Sequence, residues 1–157
     1  MSNESIGLDQ LFAHWAQVRA HLLDAIDNFE DADLHYRPFA KAMSAGQIMT
    51  HIADAEEGWF RYVITGERSD WPADYTLQNY PSKEAIKQLL DQVHGRTETF
   101  LATLELADLE RRVQAPWDDA TFTLGWIILH VLEHEIHHRG ELSLILGLLG
   151  REGLAVF

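Results

Sequence analysis

The 157-residue chain has no cysteine, only three lysines, four prolines and no run of basic residues. Each scarcity closes off a class of function. Without cysteine there is no disulfide, no thiolate-bound zinc and no protein thiol nucleophile. A formal net charge of −13 leaves no positive footprint for nucleic acid or an anionic membrane, so neither is expected as a partner. No apolar run approaches the ~20 residues that span a bilayer, and the opening MSNESIGLDQ lacks the basic and apolar regions of a signal peptide. A soluble cytoplasmic protein is the expectation. The remaining composition, 46% hydrophobic and 24% charged, is that of a globular protein, and the length suits a single domain over residues 1–157.

Histidine, by contrast, is concentrated. Four of the nine fall in His130-Val-Leu-Glu-His134-Glu-Ile-His137-His138-Arg-Gly-Glu141. Spacing of four stacks His130, His134 and His138 along one helix face, and imidazoles at i and i+4 can converge on one ion. His134 and His138 also continue an apolar stripe of Ile127, Val131, Leu142 and Ile145. They should point inward, where a polar ring needs a partner, and a metal ion would satisfy both at once.

Apolar periodicity predicts four long helices and no strand. The first spans about Leu8 to Phe29, with Leu8, Leu11, Phe12, Trp15, Leu22, Ile26 and Phe29 on one side; His14 and His21 flank that stripe as boundary residues. Tyr36-Arg37-Pro38-Phe39 reads as a loop. Ser44-Ala-Gly-Gln47 fits a capping box opening the second helix, whose stripe is Ile48, Ile52, Ala55, Trp59 and Val63 and which stops near Gly66. His51 lies beside that stripe and is the best third ligand outside the fourth helix. Residues 67–81 form a long aromatic connection, read as a crossover; Trp71, Tyr75 and Tyr80 either wall a pocket or pin the loop to the body. Ser82 caps the third helix, whose stripe runs from Ile86 to Leu104 and leaves His94 on the exposed polar side. Thr123 caps the fourth, which continues to about Leu146, and the glycine-containing tail to Phe157 suits a short terminal turn. The predicted architecture is all-α, a four-helix bundle with a long crossover.

Two segments, Gln47-Ile-Met-Thr-His51-Ile-Ala-Asp54-Ala-Glu56 and His134-Glu-Ile-His-His138-Arg139-Gly140-Glu141, resemble the DinB family of DinB/YfiT-like metalloenzymes, a likeness that covers nearly the whole chain. The resemblance implies a divalent metal held by one histidine of the second helix and two of the fourth, which map onto His51, His134 and His138. It also implies a homodimer. Related members are S-transferases acting with low-molecular-weight thiols such as bacillithiol, or isomerases using mycothiol. Where the family usually has glutamine after the Arg-Gly pair, this chain has Glu141.

Three protein ligands with an open position form the catalytic pattern of zinc, whereas structural zinc is closed with four. Nitrogen donors suit zinc, nickel, iron or copper; a single divalent ion of the first three kinds is expected. Such an ion lowers the pKa of bound water to about 7 and deprotonates a bound thiol. With no cysteine in the chain, thiolate chemistry requires a thiol brought by a ligand, and a small-molecule electrophile as the other reactant. Asp54 and Glu141, each three residues from a proposed ligand, are candidate partners for the imidazoles. His130 is a possible alternate ligand, His137 faces the flank, and Arg139 either anchors an anion or pairs with Glu135.

Three competitors stand beside this reading. His134-Glu135-Ile-His137-His138 matches the H-E-x-x-H pattern, in which Glu135 would be the general base of a metal-dependent hydrolase. A di-iron bundle needs two Glu-x-x-His motifs, and only Glu135-x-x-His138 is present. A non-catalytic protein that binds or senses metal is the remaining alternative.

Overall fold

The second, third and fourth predicted helices begin with the caps their sequences offer. In the computed structural model, which describes residues 7–153, α3 (Ala45–Glu57) opens on Ser44. The Gln47 amide donates to Ser44 Oγ at 3.3 Å and Gln47 Oε1 accepts the Ser44 amide at 3.0 Å, a reciprocal capping box. Ser82 caps α4 (Lys83–Leu101) and Thr123 caps α5 (Leu124–Leu148), each accepting an N–H of the first turn at 3.2 Å.

The first predicted helix is two. α1 (Leu8–Leu11) ends at Phe12, whose backbone at φ −98°, ψ 19° leaves helical geometry, and α2 (Ala13–Asp27) starts afresh. No proline or glycine marks that break. It turns Leu11 outward, 53% exposed, while Leu8, Trp15, Leu22, Ile26 and Phe29 stay buried as the stripe requires. The second helix changes pitch after Glu57, continuing as a π-helical segment, Gly58–Ile64, and stops at Gly66, whose φ of +67° favours glycine. The expectation of no strand fails at β1 (Arg112–Gln114) and β2 (Thr121–Thr123), an antiparallel hairpin that pairs Val113 with Phe122. Three residues per strand are too few for an alternating pattern to show. Beyond α5, Gly150 turns the chain at φ +73°, and the tail expected through Phe157 lies partly outside the described residues.

α2 packs on α4 and α5, and so does α3. Consecutive helices α2 and α3 therefore sit on one diagonal of the bundle and α4 and α5 on the other. Connections across a diagonal need length, which accounts for residues 28–44 between α2 and α3 and for the hairpin segment before α5. Residues 67–81, expected to be the crossover, instead join the packed neighbours α3 and α4. Two apolar clusters fill the interior. One contains Phe29, Ile48, Leu90 and Ile145; the other contains Val18, Phe60, Leu124 and Ile127. No helix among the described residues is long and apolar enough to cross a membrane.

Candidate metal centre

The three singled-out histidines meet. His134 Nε2 lies 3.1 Å from His51 Nε2 and 3.1 Å from His138 Nε2, with α3 supplying the first ring and α5 the others. A tetrahedral ion with metal–nitrogen bonds of about 2.0–2.1 Å would hold its ligands roughly 3.3–3.4 Å apart, so the cluster needs only a small expansion to accept one. The opposite ring nitrogens are anchored. His51 Nδ1 is 3.2 Å from both Asp54 oxygens, and His138 Nδ1 is 2.7 Å from Glu141 Oε2. In the neutral rings the proton sits on Nδ1 toward the carboxylate, and the Nε2 lone pair faces the cluster.

Electrostatics separates the three. The Asp54 hydrogen bond raises the His51 pKa against the opposing effect of burial. Burial lowers that of His134, and the neighbouring His138 and His51 rings push it further, to about 3. Burial also lowers His138, with Glu141 opposing. His134 is therefore uncharged at neutral pH, the form a ligand needs.

The surroundings extend this anchoring. Trp71 of the 67–81 connection donates its indole N–H to Asp54 Oδ1 at 3.1 Å, so the loop steadies the carboxylate that steadies His51. The ring lies flat against Gly58, where an added Cβ would come within 2.7 Å of it. Tyr75 and Tyr80 pack on the core, so the loop is both pinned and part of the wall. Trp59 contacts Trp71, Trp117, Phe122, Trp126 and His130, forming an aromatic wall from the hairpin along α5. Two clefts flank the histidines. One, of about 390 Å³, is lined by Gln47, Thr50, His51, Asp54 and Tyr75; the other, of about 340 Å³, by Phe39, Ile48, His138, Glu141 and Leu144. A larger cleft of about 450 Å³, beside Arg61 and Phe100, contains no histidine, so size alone does not mark the site.

The other sequence candidates go elsewhere. His130 stacks on Trp126 at 4.6 Å rather than joining the cluster. His137 is exposed, with Nε2 3.4 Å from Glu141 Oε1. His14 is exposed and pairs with Gln17. Glu135, proposed as a general base, is 1% exposed and committed to the interior. Its carboxylate accepts from Trp15 Nε1 at 2.7 Å and from Arg19 Nε and Nη2 at 2.8 and 2.9 Å. Among the described residues the close donors to Glu135 all come from α2, so its carboxylate is engaged in the interior rather than with Arg139 or the histidine cluster.

Sequence reasoning missed the rest of this interior cluster. Arg19 Nη2 also donates to Glu56 Oε2 at 2.5 Å and Nη1 to the Leu90 carbonyl at 2.8 Å. His94, expected on the exposed face, is 5% exposed and holds Glu56 Oε1 at 2.8 Å through Nδ1. All four of α2, α3, α4 and α5 contribute to the network. Burial would raise the Glu56 pKa, but Arg19 and then His94 hold it down at about 2. Burial opposes the Arg19 charge, and Glu56 and Glu135 restore it. Only Glu135-x-x-His138 on one helix hinted at an inward carboxylate; nothing local pairs residues 116 positions apart.

A sequence model of the DinB superfamily matches residues 14–142. Over 96 residues the chain is 30% identical to the uncharacterized protein YizA of Bacillus subtilis (strain 168), a match spanning 59% of this chain and 57% of that protein. A DinB-like protein from Bacillus cereus ATCC 10987 superposes with a TM-score of 0.75 over 96% of this chain and 98% of that one, at 15% identity. YfiT from Bacillus subtilis, described as a probable metal-dependent hydrolase with an unusual four-helix bundle topology, gives a TM-score of 0.66 at 24% identity, covering 94% and 93% of the two chains. At such identities the structural likeness is one of fold.

Proposed function

The chain belongs to the DinB superfamily, and on that premise we propose that it is a metal-dependent enzyme acting on a small molecule, with His51, His134 and His138 holding one divalent cation. The observation that carries this reading is the convergence of three Nε2 atoms at 3.1 Å steps, with two of the rings oriented by carboxylates. Imidazole nitrogen suits zinc, nickel and iron alike. When bound, the ion supplies Lewis acidity and lowers the pKa of a water or a small thiol in its remaining position. The chain's own residues prepare the site. Asp54 and Glu141 keep the lone pairs of His51 and His138 aimed inward, while burial keeps His134 free of a proton.

Between reaction types, we favour transfer of a low-molecular-weight thiol onto an electrophile. Two clefts open on the cluster, a more polar one at His51 and a mainly apolar one at His138, which suits two reactants. The absence of cysteine requires the thiol to come from outside the chain. A second reading, hydrolysis, is favoured by the likeness to YfiT, although the burial of Glu135 against Arg19 and Trp15 weighs against that residue as its base. The homodimer belongs to this proposal as well, supported by exposed Leu129, Ile136 and Leu148 on α5, and sedimentation analysis checks it.

Metal content of protein purified without chelator tests the reading. The expected result is about one equivalent per chain, the stoichiometry of a three-ligand catalytic site, lost in His51→Ala and in His138→Ala. A small thiol should then perturb the visible spectrum of the cobalt-substituted protein. Spectral change on thiol addition supports transfer; ester turnover without it supports hydrolysis. Metal binding with neither would make this a metal-binding or sensing protein, and equal metal content in all variants would remove the site assignment.

A further inference from the structure

Among the described residues, three histidines carry a carboxylate against Nδ1. Two are His51 and His138; the third is His94, held by Glu56 at 2.8 Å. A ring fixed in this way presents its Nε2 outward as a ligand or acceptor. His94 Nε2 is buried and has no hydrogen-bond partner. Leaving such a buried atom unpaired is costly, so its position calls for an occupant. The ring borders a cleft of about 420 Å³ between α1, the start of α2 and the end of α4, lined also by Asp9, Trp15 and Glu98.

We infer that His94 Nε2 and the Glu98 carboxylate, with Asp9 lining the same cleft, form a second site for a divalent transition-metal ion, separate from the three-histidine centre. Glu98 Oε1 stands 3.7 Å from His94 Nε2, one helical turn along α4. Two ligand atoms each about 2.0–2.2 Å from one ion lie no more than about 4.4 Å apart, so both reach it with only side-chain adjustment. Charge selects a cation: the cleft is lined by Asp9 and Glu98, and Arg19 is already committed to Glu56 and Glu135. A mixed imidazole–carboxylate pair selects zinc, nickel or cobalt over magnesium or calcium. Waters complete the shell from the open cleft. With two protein ligands rather than three, the site fills after the other one.

Nickel titrated into the wild-type protein should reveal two classes of site by calorimetry. Glu98→Ala, a change at a side chain 57% exposed, should remove the weaker class and keep the tighter. The His134→Ala, His138→Ala double variant should keep only the weaker. An independent readout is the indole N–H resonance of Trp15, whose ring centroid is 5.3 Å from that of His94. In the His134→Ala, His138→Ala background, where the first site is removed, paramagnetic nickel or cobalt should broaden it, and adding Glu98→Ala should leave it sharp. A single class of site in wild type overturns the inference. So does a second class that survives Glu98→Ala, or a Trp15 signal that stays sharp at saturating metal.

Discussion

Two polar clusters share the interior of this bundle, and they solve the burial of charge in opposite ways. In the cluster of Arg19, Glu56, Glu135 and His94, the cation belongs to the chain: a guanidinium spans two carboxylates with near-complete burial. In the cluster of His51, His134 and His138, three nitrogens converge with no cation of the chain's own between them, and partly to fully buried rings stand beside open clefts. The first is closed by construction, and the second is the one the proposed function assigns to an ion. Adjacent residues, His134 and Glu135, belong one to each. A step of ~100° around the helix is enough to send the first toward the clefts and the second into the core.

The comparison breaks most visibly at Glu135. Removing one partner of a buried charge pair leaves the other uncompensated, at a cost of roughly 3–5 kcal/mol. Glu135→Ala should therefore lower the urea midpoint sharply while the folded protein still takes up metal at the three histidines. If the variant keeps its stability and loses hydrolytic activity instead, Glu135 is working as a base and the separation of the two clusters is wrong.

How far the sequence disclosed this depends on the range of the interaction. His134, His138 and their apolar stripe repeat within one helix, so spacing alone aligned them, and the caps at Ser44, Ser82 and Thr123 are equally local. His51 required only that its helix pack beside α5. Asp54 and Glu141 lie one turn from the rings they hold, within reach of the same reasoning. His94 was different: its polar neighbours Lys87, Asp91 and Glu98 suggest a solvent face, and its partner Glu56 is 38 positions away on another helix. Periodicity describes one helix at a time and cannot see an arginine from a second helix making an inward carboxylate tolerable. The hairpin escaped for another reason, since Val113 and Phe122 are the pair that carries its packing and two residues make no pattern.

A smaller change sharpens the open cluster. Asp54→Asn keeps an acceptor beside His51 Nδ1 but removes the charge that orients and strengthens the ring as a donor to metal. Loss of such a partner typically weakens metal affinity about 10–100-fold. Competition titration with a chelating dye should show this, with the thermal midpoint of metal-free protein nearly unchanged. An equal fall in metal-free stability would place Asp54 with the structural network instead.

The smallest effect is expected one shell further out. Trp71→Phe keeps an aromatic ring against Gly58 and deletes the indole N–H that Asp54 Oδ1 shares with His51. The carboxylate then has one donor fewer and more freedom to rotate, so metal affinity should fall by less than about tenfold, below the loss at Asp54 itself. Two opposing consequences make the sign informative. A carboxylate relieved of one donor is a stronger acceptor for His51, which would tighten the metal; a carboxylate that is no longer held in place spends less time aligned with the ring, which would loosen it. Metal affinity measured on Trp71→Phe decides between them. A fall means that Trp71 positions Asp54, and the 67–81 loop then supports the proposed site. A rise means that Trp71 tempers the carboxylate, and the loop then weakens the His51–Asp54 pair rather than aligning it.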